Sequence, residues 1–309
     1  MSGTSISAQW AEPASAALGR LAPGPAGTLA LLAGSVSASG GDLAGLARAV
    51  CAETLGLTPL PTPTSAAAVD PAIAEVAAAF AEQFSQDVSA ITPAERAALS
   101  AALGEGAREF VLSVYVADWA PRVRRALEAL FAPTAGDAVV WPESEPTVVA
   151  SLWPTIEAQM VAIARLSAVD PVTTEVVRLR GARQHNCRLC KSLRQVTALN
   201  AGADESTFDA VDHYEDSVLS ARQKAALALT DALIWQPAHL SADVLDAVRE
   251  HFTPAEAVEL VLDNARNAFA KVAVSLGTDE ANVAEGVQIY EVRPDGTMDF
   301  TAEFTPTRD

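Results

Sequence analysis

Between Thr253 and Gly277, Val258, Val261, Ala265, Phe269, Val272 and Leu276 recur at steps of three or four, the spacing that gathers side chains on one face of an α-helix. A chain carrying such a stripe has to bury it, so this segment predicts a core helix. Its start is written in "TPAE", where Thr253 caps, proline takes the first helical position and Glu256 follows in the third; Gly277 closes its end. Similar punctuation recurs along the chain. Asp170 before Pro171 predicts a helix through Glu175 and Arg178 towards Gln184, and Asn186 predicts one from Cys187 to Gly202. "SARQ" at Ser220 opens a helix that reaches Trp235 before Pro237 stops it. Upstream, a helical pattern runs from Pro71 to Phe131, interrupted near Ser89 and by "GEG" at Gly104, with Pro121 expected to kink or break it. Residues 14–54 read as short helices parted by Gly and Pro, among them the apolar stretch "TLALLAGSVSASG", and residues 57–71 read as an extended linker.

Alanine is the commonest residue and aromatics are only 6% of the chain, which favours helices packed through small contacts. The expected fold class is therefore all-α. One strand signal stands out, the tail "VQIYEVRPDGTMDF", whose alternation around "PDG" predicts a short C-terminal β-hairpin. A length of 309 residues suggests two helical domains, parted in the Pro-rich segment from Ala132 to Pro146: residues 1–140, residues 141–286, then the tail hairpin over 287–309. "TPAERAAL" at Thr92 repeats the start at Thr253. This is either the trace of a duplication whose first copy has degenerated and lost its thiols, or a common way to begin a helix.

A net charge of -18 repels phosphate backbones and anionic membrane surfaces, so neither nucleic acid nor membrane is an expected partner, and no apolar run is long enough to span a bilayer. Three cysteines, two of them in one Cys-x-x-Cys, do not make a secreted disulfide framework; the expected compartment is the reducing cytoplasm.

That Cys-x-x-Cys lies in "RGARQHNCRLCKSLR". From Val176 to Ala203 there are six basic residues and no acid, a local inversion of charge in an acidic chain. Cations and a helix N-terminus both stabilise a thiolate, the reactive form of cysteine, so the pattern points to thiol chemistry, with Cys187 at the helix start as the more acidic thiol. Zinc would need further ligands, and Cys51 and the histidines show no such spacing, so no metal is expected. Two readings compete with thiol chemistry. The cysteines could be structural core residues, and the arginines could bind an anionic substrate or pair with acids of a neighbouring subunit.

"EVVRLRGARQHNCRLCKSLR", with "LSARQKAALALTDAL" and "FTPAEAVELVLDNARNAFAKVAVSLG", resembles the carboxymuconolactone decarboxylase family and, within it, the alkylhydroperoxidase D-like branch, over about residues 153–277. Glu175 stands twelve residues before Cys187, as the family's glutamate does. The resemblance implies an alkylhydroperoxidase D-like helical domain that assembles into homo-trimers or hexamers and works as a thiol peroxidase without a cofactor. It assigns peroxide attack to Cys190, resolution to Cys187 and proton relay to Glu175, whereas the electrostatic reading favours Cys187 as the more acidic thiol. The family's relay histidine falls on Arg194, which cannot shuttle a proton but can stabilise a thiolate or bind substrate, as can Arg178. His185 is the candidate replacement carrier; its alternative is a helix-end histidine satisfying main-chain carbonyls.

The leading expectation is a peroxidase or thiol-disulfide oxidoreductase that acts on a hydroperoxide and is recharged by a dithiol protein or small thiol. The alternatives are a cofactor-free lyase acting on a carboxylate lactone and a non-catalytic relative that has lost the histidine.

Overall fold

A computed structural model describes residues 8–38, 41–62, 69–131, 141 and 147–304. The chain is mostly helical, as its composition implies, with a few short strands. The expected domain boundary, Ala132–Pro146, lies outside the described residues except for Trp141.

The first half contributes α1 (Ala14–Leu21), α2 (Pro23–Gly34), the strand β1 (Ser35–Ser37), α3 (Gly41–Leu55), α4 (Pro71–Asp87), α5 (Pro93–Leu103) and α6 (Ala107–Leu130). After β2 (Thr147–Val149), which pairs in parallel with β1, come α7 (Trp153–Ala164) and α8 (Pro171–Gln184). Four of the caps read from sequence form as expected, while Asn186 does not cap. Asp170 accepts from the Thr173 amide, and Thr92, Ser220 and Thr253 each close a reciprocal capping box.

The centre is α6, buried along most of its length from Phe110 to Leu130. It packs on α3, α4 and α5 and also on helices of the second half, so one apolar core runs through both. Pro121 neither breaks nor ends this helix. The missing main-chain bond, a cost of about 3 kcal/mol, is outweighed by packing around α6. Next to it, Arg122 donates to the carbonyls of Leu233, Ile234 and Ser85, closing the last turns of two other helices.

The helix expected from Cys187 to Gly202 is instead three pieces: the single turn α9 (Arg188–Lys191), the strand β3 (Leu193–Gln195) and α10 (Val196–Asn200). Arginine side chains explain the break. Arg178 takes the carbonyls of Cys190 and Leu193, and Arg194 takes those of Lys191 and Leu193, which a continuous helix would have used itself. Then follow α11 (Glu205–Asp209), α12 (Ala221–Trp235), α13 (Ala242–His251), α14 (Pro254–Asn267) and α15 (Ala270–Leu276). The stripe helix is thus real but broken at Ala268–Phe269, and Gly277 ends it in the left-handed conformation, φ 71°.

The tail forms the expected hairpin, β4 (Gln288–Val292) with β5 (Met298–Asp299). Unexpectedly, β4 also pairs in parallel with β3, Arg194 opposite Ile289 and Gln195 opposite Tyr290, which lays the tail across the thiol segment. Its turn is held on α7 by close approach: Gly296 has φ 85°, and a Cβ there would come within 2.7 Å of the Val161 carbonyl oxygen.

Candidate functional site

Helix α8 ends at His185, Asn186 reverses the chain with φ 53°, and Cys187 becomes the N-cap of α9, not its first helical residue. Its sulfur accepts the Cys190 amide at 3.2 Å, so the thiol feels an unpaired helix donor as expected, from one position earlier. Cys187 and Cys190 form a disulfide, with Cα atoms 5.3 Å apart. Cys187 is fully buried and Cys190 half-buried. The turn is pinned by Asp279, which accepts from the Arg188 amide and guanidinium and whose carbonyl accepts the Leu189 amide.

The arginines of the basic window are paired within the chain, while Lys191 donates to the Asn186 side-chain oxygen. Arg180 meets Asp231, Arg183 meets Asp209 and Asp212, Arg188 meets Asp279, and Arg194 is gripped by Glu205 at both carboxylate oxygens. The local inversion of charge in the sequence therefore becomes a framework of ion pairs that fixes α8, α9 and β3, rather than an open cationic field at the sulfurs. Arg194 also lies over the Phe208 ring, away from the cavity described below.

Glu175 is completely buried and takes a two-pronged ion pair from Arg178, with both contacts at 2.7 Å. It also accepts the Gln195 amide. Burial opposes the charge of Arg178, but the adjoining Glu175 carboxylate and Tyr290 more than offset it and raise its pKa. Glu175, Arg178 and the thiol turn thus lie together, with Glu175 buried and not an exposed helix acid. His185 faces elsewhere, edge-on to Trp119 at 6.4 Å between ring centres. Burial, with Lys271 and Arg122 nearby, holds its pKa well below the usual 6.5, so the ring is neutral. It is a helix-end residue that does not line the cavity.

Both cysteines form part of the wall of a cavity of about 460 Å³, within the usual range for small-molecule sites. Arg178 lines it beside them, and Phe269 and Tyr290 close it from the α14–α15 junction and from β4.

No family model matches the chain. It is 45% identical over 272 residues to "Uncharacterized protein Rv2313c" and, equally, to "Uncharacterized protein MT2376", from two strains of Mycobacterium tuberculosis, covering 86% of this chain and 94% of each relative. The chain belongs to their family. A more distant relative, "Uncharacterized protein YdfG" of Bacillus subtilis, is 25% identical over 119 residues, 38% of this chain and 81% of that one. None of these names states an activity, so the chemistry of the family's site has to be argued from its geometry.

Three participants were not found by sequence reading. Tyr290 and Met298 were seen only as hairpin residues, and nothing local tells that the hairpin lies across the thiols. Arg266 follows Ala265 of the apolar stripe and reaches the same cavity; a cation beside a core stripe was the available signal. Asp263, one turn earlier, is buried, and its Oδ2 has no hydrogen-bond partner among the described residues. Burial and Glu259 push its carboxyl up to about 8 against the pull of Arg266, so it is largely protonated at neutral pH.

Proposed function

We propose that the Cys187–Cys190 pair is a redox-active dithiol that reduces hydroperoxides. The observation that carries this reading is the disulfide across a one-turn helix in the wall of a small-molecule cavity, with the second sulfur the more open of the two. In the reduced pair, the Cys190 thiolate attacks the outer peroxide oxygen; the O–O bond breaks, the alcohol or water leaves with a proton, and Cys190 becomes a sulfenic acid. The Cys187 thiol then displaces hydroxide, which departs as water, and the disulfide forms. An external dithiol protein or small thiol attacks Cys190, the more accessible sulfur, and Cys187 leaves as a thiolate held by the Cys190 amide; a second reductant thiol then breaks the mixed disulfide, leaving the reductant oxidised and Cys190 free.

This assignment accommodates both expectations from sequence. Cys187 is the more stabilised thiolate and therefore the better leaving group, and Cys190 is the attacking sulfur. Glu175, locked to Arg178, positions the turn through the carbonyl of Cys190. The resemblance to the alkylhydroperoxidase D-like branch supports the same reading, and with it a cytoplasmic homo-oligomer, trimer or hexamer.

The test is stopped-flow consumption of hydrogen peroxide and an organic hydroperoxide by the reduced protein, with mass spectrometry of the cysteine peptide before and after. The expected result is rapid conversion to the internal disulfide, lost in Cys190→Ser. A Cys190→Ser protein that consumes peroxide as fast as the parent would sink the assignment.

A further inference from the structure

The cavity beside the disulfide contains a cation with no partner among the described residues. Of its two arginines, Arg178 is saturated by Glu175 and two carbonyls, whereas Arg266 makes no hydrogen bond or ion pair among the described residues. The nearest acid on its own helix, Asp263, is buried and mostly protonated, and Glu157, at the rim, is exposed and forms no ion pair with it. A guanidinium is a planar fork that matches one carboxylate with two parallel hydrogen bonds. The rest of the wall is mostly apolar, with Asn267 and Thr297 among its polar members, and on the hairpin side Met298 and Phe300 are 41% and 38% exposed, large hydrophobic groups that a bound chain would cover.

We infer that this cavity binds an amphipathic monocarboxylate of medium chain length, its head on Arg266 and its alkyl chain under the tail hairpin. A single negative charge is favoured over a phosphate or dicarboxylate because the cavity offers one guanidinium unpaired among the described residues and the whole chain is strongly acidic. The binding stands on the cavity alone; that such an acid, carrying a hydroperoxide, is the substrate class rests on the dithiol reading above.

The experiment is isothermal titration of decanoate and of decanol, a neutral analogue of equal chain length, into the Cys187→Ser/Cys190→Ser protein, which cannot turn over. Decanoate is expected to bind more tightly than decanol. Arg266→Gln is expected to weaken decanoate about 10- to 100-fold while leaving decanol unchanged, as loss of a charge-assisted hydrogen bond requires. Met298→Asp is expected to weaken both. The inference is overturned if decanoate binds no better than decanol, or if Arg266→Gln binds decanoate like its parent. Decanoate binding in a protein whose reduced parent consumes no hydroperoxide supports the site and removes only the redox reading. Hydroperoxide consumption without decanoate binding removes only the ligand class.

Discussion

Two clusters of buried charge lie close to the thiol segment, and they are balanced differently. In the core, Asp118 of α6 is shared by Arg122, at 2.7 Å, and by Lys271 of α15, at 2.6 Å, and all three are buried. At the cavity, Glu175 serves Arg178, but no carboxylate among the described residues pairs with Arg266. The core cluster joins the two halves of the chain, and its cations also close helix ends or lie over rings: Arg122 over Trp119 and Lys271 over Phe84. In this core cluster both cations share one carboxylate. A cation beside an accessible cavity with no partner among the described residues is what supports the ligand proposed above.

The largest expected effect comes from breaking the matched cluster. Asp118→Asn leaves two buried cations sharing no carboxylate, and removing one partner of a buried pair costs about 3–5 kcal/mol. Urea denaturation of Asp118→Asn is expected to show a loss of that order, and Asp118→Asn/Lys271→Met to recover part of it, because one stranded charge has gone. If Asp118→Asn lost less than about 1 kcal/mol, well below that range, the cluster would not be the clamp between halves described here.

The contrast also shows what could be read in advance. Helix starts at Asp170, Ser220 and Thr253 were legible because a cap and its helix are neighbours in sequence. So was the pairing of β4 with β5, which depends on a local turn. The break after Lys191 was not, because it depends on Arg178 reaching carbonyls 12 and 15 residues away. Nor was the parallel pairing of β3 with β4 across some 90 intervening residues. The thiol motif and Arg178 were legible in the basic window, and Glu175 through the family resemblance. What neutralises each arginine was not, since the acids come from α11, α12 and the segment after α15. Sequence showed the cations; only the fold shows that Arg266 is the one left over in the cavity.

A second, smaller effect would sharpen the same distinction. Asp263 has its carboxyl raised from 3.8 to about 8 by burial and Glu259, with Arg266 pulling the other way and Tyr290 also within range. The folded protein therefore holds a proton that the unfolded chain has released, and stability present below about pH 4 is lost as pH rises towards 8. Asp263→Asn mimics the neutral form at every pH. It is expected to match the parent near pH 4 and to exceed it by a few kcal/mol at pH 8 in urea denaturation, a window set by that raised carboxyl. Parallel profiles for the two proteins would mean that Asp263 is ionised and neutralises Arg266, and the case for an unmatched cation would fall with it.

The smallest effect concerns packing on the thiol side of the comparison. Gly181 sits inside α8, between Arg178 and His185, and is buried, yet a Cβ built there meets nothing within 4 Å. No close helix contact requires a glycine at this point, and its φ is not in the left-handed region. Gly181→Ala should therefore stabilise the protein by about 0.5–1 kcal/mol, the usual gain from removing a glycine from a helix interior, with a small further gain from filling space. The matched cluster offers no such slack, since Asp118, Arg122 and Lys271 are enclosed by aromatic rings and helix ends. If Gly181→Ala raises the denaturation midpoint but slows reoxidation of the Cys187–Cys190 pair, the looseness of α8 serves the thiol turn it carries. If it raises the midpoint with the thiol kinetics unchanged, the room beside Gly181 is packing left unfilled, and the functional asymmetry between the two clusters rests on charge alone.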